Sequence, residues 1–225
     1  MRDTACDQQT HPHHFHLHNP RQTPITLILY KIPRSKYITK PVLEQTHFHN
    51  NKKANDTNAF LMRNIRSCPQ EIKATCYKAL VRPIVEYASP VWDPSTRQNI
   101  NMLDGVQRKA ARFVTGDHKR TSSVTKILQD LQWPTLEKRR KQAKVTLLFK
   151  AIRELVEIPT NRLNPSDTGT RGHKKRYRIP HSRIESHKHS FFPSTIRLWN
   201  TLQTSTINQP DEDSFKRCLH FLNVP

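Results

Sequence analysis

The chain has 225 residues, a formal net charge of +20 and a sequence pI near 10.3. Only 34% of the residues are hydrophobic and the mean hydropathy is −0.79, which excludes a chain that is compact throughout, and no apolar run is long enough to predict a membrane span. Residues 46–190 hold most of the charge, with 29 Lys and Arg against 12 Asp and Glu, and this excess predicts a polyanionic partner, with nucleic acid ahead of a membrane surface.

Residues 1–45 form the first predicted segment, a low-complexity flank that we expect to be disordered. Its run HPHHFHLH (His11 to His18) is rich in imidazoles, which are common metal ligands. The spacing fits no organised site, so we predict no metal site. The alternative interpretation is sequence that was never selected as protein.

A helical domain is predicted for residues 46–157. Its first helix spans residues 52–66, because Ala54, Asn58 and Leu61 are spaced for one face, which Ile65 continues.

The second predicted helix starts at Ser67 as its cap, with Pro69 in the first turn. An apolar row recurs in it every fourth residue, and Pro83 within the row predicts a kink or a break. The row contains Ile72, Cys76, Leu80 and Ile84, and Tyr87 continues it. Tyr87, Val91 and Trp92 are interpreted as a hydrophobic plug between helices, with base stacking by Tyr87 or Trp92 as the alternative.

The third predicted helix runs from about Pro94 to Val114 and separates an apolar arc from a basic arc. Asp93 or Ser95 is expected to cap its start and Gly116 to close its end. The apolar arc contains Ile100, Leu103, Val106, Ala110, Ala111, Phe113 and Val114. The basic arc contains Arg97, Arg108, Lys109 and Arg112, and it is either a nucleic-acid-binding face or an ordinary solvated surface.

A short helix capped by Ser122 or Ser123 and a long helix from Thr135 to about Val156 complete the domain. The first turns of the long helix carry Lys138, Arg139, Arg140, Lys141 and Lys144, which we expect to be exposed. Cations near a helix N-terminus oppose the helix dipole, and a bound phosphate would relieve that conflict.

Residues 158–190 are predicted to be a basic loop or linker, and residues 191–225 a C-terminal helical extension that packs on the domain. The loop is either a flexible segment that tracks a nucleic-acid backbone or a solvated linker. Its basic residues around Tyr177 are Lys174, Lys175, Arg176 and Arg178.

No catalytic or cofactor-binding motif occurs in the sequence. Adjacent aspartates that could hold two metal ions are absent, and Asp93, Asp104 and Asp117 are interpreted as isolated caps or surface residues. A P-loop and a dinucleotide motif are also absent, so we predict no cofactor and no enzymatic activity of this chain alone. The four cysteines lack CxxC spacing, which favours free thiols in a reducing, intracellular compartment.

From Thr46 to the C-terminus, several motifs occur in an order that resembles the region after the polymerase core in non-LTR, LINE-type, jockey-like retrotransposon reverse transcriptases. The motifs are KKANDTNAFLMRNIRSCPQEIK (52–73), LVRPIVEYASPVWDP (80–94), VQRKAARFVTG (106–116), RTSSVTKILQDLQWPTLEKRRKQAKVTLLFKAI (120–152), TRGHKKR (170–176) and SFFPSTIRLWNTL (190–202).

This resemblance implies a helical, thumb-like domain and a C-terminal extension that grip template–primer nucleic acid through its backbone, while the catalytic aspartates belong to a preceding palm. The chain is then expected to be a fragment that binds RNA or RNA–DNA duplex, in the nucleus if it functions, with the missing palm as a further partner. Two alternatives remain: a non-functional mobile-element relic, and a helical module whose basic surface meets an acidic protein. An in-frame palm upstream of Met1 in the transcript would separate the fragment from the relic.

Overall fold

The computed structural model of the chain describes residues 40–158, 160–166 and 173–221. Over these residues the fold is all-α, an irregular bundle of helices without a strand, which confirms the predicted fold class. No helix among them combines the length and the apolarity that a membrane span requires. Most of the predicted flank, and the His-rich run within it, lies outside the described residues.

The first helix, α1, spans Lys40–Asn64 and so begins twelve residues before the predicted start. Ala54 and Leu61 are buried as expected. His47 extends their row one heptad towards the N-terminus and is also buried; its Nε2 contacts the carbonyl oxygen of Trp92. The polar sequence around His47 hid this extension, because a histidine in a polar segment gives no apolar signal.

The second helix, α2, spans Gln70–Cys76 with Pro69 at its N-cap position. The predicted cap at Ser67 is therefore wrong. A π-helical turn over Tyr77–Val81 follows, and the N–H of Arg82 donates to the carbonyl oxygen of Tyr77. Helix α3 (Arg82–Glu86) carries Pro83 in its first turn, so the predicted interruption at this proline takes the form of a widened turn.

The π turn changes which side chains face the core. Tyr77, Val81 and Val85 are buried, whereas Leu80 of the predicted apolar row is 51% exposed. Tyr87 is 58% exposed, so its assignment to the hydrophobic plug is wrong. Trp92, in the short helix α4 (Ser89–Trp92), is buried as the plug requires.

Helix α5 spans Arg97–Thr115 and lies parallel to α1, since Asn99 meets His47 at one end and Lys109 meets Asn55 further along. Thr96 caps its start by accepting from the N–H of Asn99, so neither Asp93 nor Ser95 is the cap. Gly116 ends it with φ of 70°, the left-handed conformation predicted for this glycine. Ser123, one of the two predicted caps, caps helix α6 (Val124–Asp130) by accepting from the N–H of Lys126.

Helix α7 spans Leu136–Ile152 and passes from one hydrophobic core to another. It ends before the predicted Val156, because Glu154 adopts φ of 56° and the N–H of Leu155 returns to the carbonyl oxygen of Lys150. The first core contains Leu136 and buried residues of the helices and connections that precede it, among them Ala54, Tyr77, Val81, Leu103, Val106, Phe113 and Trp133. The second core contains Val145, Leu148, Phe149, Phe191, Trp199, Phe215 and Leu219.

The C-terminal helices pack on α7, as predicted for the extension. Ser190 occupies the N-cap position of the helix that contains Trp199, and Asp211 accepts a hydrogen bond from the N–H of Ser214 at the start of the last helix. These elements are a 3-10 turn (Thr160–Arg162), α8 (Glu185–Lys188), α9 (Phe191–Trp199), α10 (Thr204–Ile207) and α11 (Glu212–Phe221).

Candidate nucleic-acid interface

The basic arc of α5 faces away from the core, as its periodicity predicts. Arg97, Arg108 and Lys109 are exposed, while Leu103 and Val106 on the opposite arc are buried. The structure shows no ion pair between these three cations and a carboxylate of the described residues. Arg108 donates to the carbonyl oxygen of Asn101 (2.9 Å) and Lys109 to the side-chain oxygen of Asn55 (3.1 Å), which are neutral acceptors. The positive charge of the three side chains therefore remains available to an anionic partner.

Arg112 has a different role from the one predicted. Its guanidinium donates to the carbonyl oxygens of Asp117 (3.3 Å), Lys119 (2.9 Å) and Ser122 (3.1 Å). Three backbone acceptors from one loop hold the side chain in place, so Arg112 fixes the connection between α5 and α6. It is not a free phosphate ligand on the basic arc.

The cations in the first turns of α7 are held by carboxylates of the chain itself. Arg139 makes a bidentate pair with Glu86, in which the NH2 group lies 2.9 Å from Oε2, and this hydrogen-bonded pair raises the pKa of the guanidinium. Lys141 lies 3.3 Å from Glu137, and Lys138 is half-buried. Glu86 and Glu137 thus supply the negative charge that a bound phosphate was expected to supply at this helix start.

Arg140 and Lys144 are buried, which contradicts the prediction that they are exposed and removes Arg140 from the interface. The Arg140 side chain is 1% exposed; its Nε lies 3.0 Å from Oδ1 of Asp93 and its NH1 lies 4.0 Å from Oδ1 of Asp104. Lys144 Nζ lies 2.7 Å from the other oxygen of Asp93 and donates to Ser194. These two cations and two carboxylates, the charged layer, lie between the two cores.

Asp93 and Asp104 are therefore neither caps nor free surface groups. Burial raises the pKa of Asp104 even though Arg140 opposes that shift. Among the described residues, NH1 and NH2 of Arg140 and the nearby oxygen of Asp104 have no hydrogen-bond partner. The layer is held by charge attraction without full hydrogen-bond satisfaction.

The structure brings two of the predicted basic groups together around Asp104. Arg97 and Arg108 from α5 and Glu137 from α7 all act on the charge of Asp104, and Lys141 pairs with Glu137. We call Arg97, Arg108 and Lys141 the helix patch. It combines exposed Arg97 and Arg108 with Lys141, which is half-buried and paired with Glu137.

The second basic group, the loop patch, consists of Lys174, Lys175 and Arg178, which are exposed. The backbone here is anchored, which argues against a free linker in this stretch: both backbone groups of Tyr177 bond to the side chain of Asn200, at 3.1 and 2.8 Å. Arg176, predicted with these cations, is half-buried and has contacts of its own.

Buried His173 strengthens this anchor. Its Nε2 lies 3.1 Å from the carbonyl oxygen of Trp199, and the indole N–H of Trp199 donates to the carbonyl oxygen of Lys175 at 2.9 Å. Burial lowers the pKa of His173, so the neutral imidazole is the form that fits. The loop patch therefore sits on the second core in a fixed backbone conformation.

Within the described residues, no group of three or more His, Cys, Asp and Glu side chains is arranged to hold a metal ion. Comparison with protein-family models, with curated proteins and with solved structures finds no match for this chain. The candidate interface therefore stands on its geometry and charge.

Proposed function

We propose that the chain binds RNA or an RNA–DNA duplex through the phosphate backbone, without a catalytic step of its own. The observation that carries this proposal is the placement of charge. Glu86, Asp93 and Glu137 are each paired with a cation of the chain itself, whereas Arg97 and Arg108 remain exposed on one helix face. Among the described residues, these unpaired cations thus lie at the surface, where phosphates can meet them.

The proposal agrees with the role implied by the resemblance to the post-catalytic region of non-LTR reverse transcriptases. Backbone recognition needs positioned cations rather than base-reading side chains, because phosphates carry no sequence information. A helix patch and a loop patch on rigid supports suit such recognition. We therefore expect affinity to vary little between unrelated RNA sequences.

The test is the salt dependence of binding to a labelled RNA hairpin and an RNA–DNA duplex, measured by fluorescence anisotropy. If about five phosphates are neutralised, log K should fall against log salt with a slope of about −3.5 to −4.5. The variant Arg97→Glu/Arg108→Glu should weaken binding and flatten this slope. Arg183→Glu/Arg197→Glu, which changes the net charge equally at exposed positions, is the matched control. Equal effects of the two double variants would remove the helix patch from the proposal.

We also expect no template-directed extension by the chain alone. Two-metal transfer needs carboxylates that are free to bind Mg²⁺, and here Asp93 is contacted by both Arg140 and Lys144. Purified protein with a primed RNA template and Mg²⁺ or Mn²⁺ should extend no faster than buffer. Extension that co-purifies with the chain and disappears in Asp93→Asn would overturn this part of the proposal.

The exposed apolar row favours a second candidate function, contact with another protein. Ile72, Leu80 and Tyr87 are each about half exposed or more, although their spacing is that of a buried face. In the family that the chain resembles, a palm precedes this region and is a partner for such a row. Leu80→Asp should then impair protein contact but leave RNA binding unchanged. At the basic surface, competition by polyglutamate but not by RNA would favour an acidic protein over nucleic acid as the partner.

A further inference from the structure

A cavity of about 350 Å³ opens between the π-helical turn and the segment that connects α6 to α7. Lys78 and Arg82 from the turn region, Trp133 from the connecting segment and Arg139 from α7 contribute to its wall. None of these residues belongs to the helix patch or the loop patch. Its volume falls within the range of about 300–1,000 Å³ that is usual for small-molecule sites.

The wall of the cavity is strongly positive. Lys78, Arg82 and Arg139 line it, and the carboxylate that holds the two arginines, Glu86, does not. Glu86 takes the Nε and NH2 groups of Arg139 and lies 3.8 Å from Nε of Arg82. Two carboxylates act on the site, Glu86 and more weakly Asp104, and three cations still leave an excess of positive charge. The bidentate pair fixes the plane of the Arg139 guanidinium before any ligand arrives.

The aromatic side of the wall is rigid and contains an unused hydrogen-bond donor. The rings of Tyr77 and Trp133 stack with centroids 4.5 Å apart. The Tyr77 hydroxyl is buried without a hydrogen-bond partner among the described residues, and burial raises its pKa well above the ordinary value, so it remains a neutral donor. Gln107 fixes the connecting segment through Pro134 and Leu136.

We propose that this cavity binds a phosphate monoester, with Lys78, Arg82 and Arg139 facing the phosphate dianion and the Tyr77 hydroxyl donating to one of its oxygens. The cavity exceeds the size of a phosphate alone, and the Tyr77–Trp133 stack offers an apolar surface to an attached sugar or base. The hydroxyl is covered by its surroundings in this structure, so contact between the phosphate and the hydroxyl requires a side chain of the wall, such as exposed Lys78, to move. The site extends the proposed function without depending on it, since backbone phosphates within a strand are diesters.

Isothermal titration of the full chain at constant ionic strength tests the site, with inorganic phosphate, adenosine 5′-monophosphate and adenosine as probes. The mononucleotide should bind saturably, inorganic phosphate more weakly, and adenosine not measurably. Lys78→Gln/Arg82→Gln and Tyr77→Phe should each weaken mononucleotide binding about tenfold or more, as expected for hydrogen bonds to a charged group. Tyr77→Phe keeps the ring stack and removes only an unpartnered hydroxyl, so it should fold.

The matched control is Arg183→Gln/Arg197→Gln, which removes two exposed cations that do not line the cavity and should leave the affinity unchanged. Equal loss in the control, adenosine binding as tight as mononucleotide binding, or no effect of Tyr77→Phe would each overturn the site.

Two sources of the monoester are separated by a pair of RNA oligonucleotides with and without a 5′-phosphate. Tighter binding of the phosphorylated strand identifies a strand end as the ligand, whereas equal binding together with mononucleotide binding identifies a free nucleotide. Binding of the unphosphorylated strand, and its loss in Arg97→Glu/Arg108→Glu, reports on the proposed function alone. The cavity proposal fails if the mononucleotide does not bind, and the proposed function fails if the unphosphorylated strand does not bind, so the two failures are distinguishable.

Discussion

The two hydrophobic cores are built alike at their centres and differently at their edges. Each contains a stacked aromatic pair, Tyr77 with Trp133 at 4.5 Å in the first core and Phe149 with Phe215 at 4.2 Å in the second. In the first core the stack borders a cationic cavity and includes a buried hydroxyl. In the second core the stacked pair is wholly apolar, which is the arrangement expected of a packing element.

Helix α7 belongs to both cores, and the charged layer lies at the point where it passes between them. Leu136 packs in the first core and Phe149 in the second, with Arg140 and Lys144 between them. Both cations reach Asp93, which follows helix α4 of the first core, and Lys144 also reaches Ser194 of the C-terminal extension. The charged layer therefore couples the two cores. We accordingly expect the distance between the helix patch and the loop patch to be fixed.

The largest expected effect comes from breaking the charged layer. Arg140→Ala should lower the free energy of unfolding by about 3–5 kcal/mol, because it removes one partner of a buried ion pair and leaves a cavity beside Asp93 and Asp104. Lys141→Ala, one residue further along, breaks only a surface pair with Glu137 and should cost about 0.5 kcal/mol or less. Urea unfolding followed by circular dichroism measures both.

The same two variants test whether the layer couples the cores. Calorimetry should show one transition in the parent chain and in Lys141→Ala, and two in Arg140→Ala, because the second core then loses a link to the first. A single transition in Arg140→Ala, shifted as a whole, would show that packing along α7 is sufficient for coupling.

A smaller difference is expected between the amide side chains that fix an irregular segment in each core. Gln107 donates to the carbonyl oxygen of Pro134 at 2.9 Å and accepts from the buried N–H of Leu136 at 3.2 Å. Gln107→Ala should cost about 1–3 kcal/mol, because that N–H is left without a partner and away from water. Asn200 bonds to both backbone groups of half-buried Tyr177, where water can replace it, so Asn200→Ala should cost about 1 kcal/mol. The reverse order in urea unfolding would contradict this comparison.

The sequence predicts those features of the fold that are encoded locally. The two faces of α5, a serine cap at Ser122 or Ser123 and the left-handed glycine at Gly116 follow from spacing and residue type over a few positions. The π turn could not be predicted, because a row of apolar residues at intervals of four has the same pattern whether or not an extra residue later rotates it out of the core. Leu80, within the turn, is exposed while Val81 is buried. Tyr87 lies past the end of α3, where the backbone leaves the helix, so its exposure has a different origin.

The sequence predicts only part of the candidate site, because local patterns indicate helix faces but not distant partners. Arg97 and Arg108 are exposed because their own helix fixes their direction. Arg140 and Lys144 occur in a run of cations that looks solvated, and only Asp93, which lies 47 positions before Arg140 in the sequence, makes their burial tolerable. No local signal reports such a partner, so a run of charges predicts exposure even where tertiary contacts bury two of its members.

The change in the free energy of unfolding with falling pH should also differ between the two cores. Burial lowers the pKa of His173 in the folded chain, so its contribution to stability is complete above the unfolded pKa of about 6.5 and is lost as the pH falls towards the folded value. His173→Gln retains a donor to the carbonyl oxygen of Trp199 and does not titrate. Unfolding measured between pH 7.5 and 5 should show the parent chain losing more stability than this variant. Parallel pH profiles would mean that the imidazolium is accommodated.

Asp104, at the edge of the first core, should respond in the opposite direction and by the smallest amount. Burial raises its pKa in the folded chain against the attraction of Arg140. A raised folded pKa means that this carboxyl favours the folded state most when it is protonated, below the ordinary value of about 3.9, and that the advantage is lost as the pH rises through the folded pKa. At neutral pH the ionised carboxylate therefore carries a net cost.

Asp104→Asn keeps the shape, offers an amide oxygen towards Arg140 and removes the desolvated charge, so at pH 7 we expect it to be as stable as the parent chain or slightly more stable. The difference should shrink as the pH falls towards 4, while the effect of His173→Gln grows. A clear loss of stability in Asp104→Asn at pH 7 would show that the attraction of Arg140 outweighs the desolvation of the carboxylate, and the charged layer would then stabilise the fold through both of its aspartates rather than mainly through Asp93.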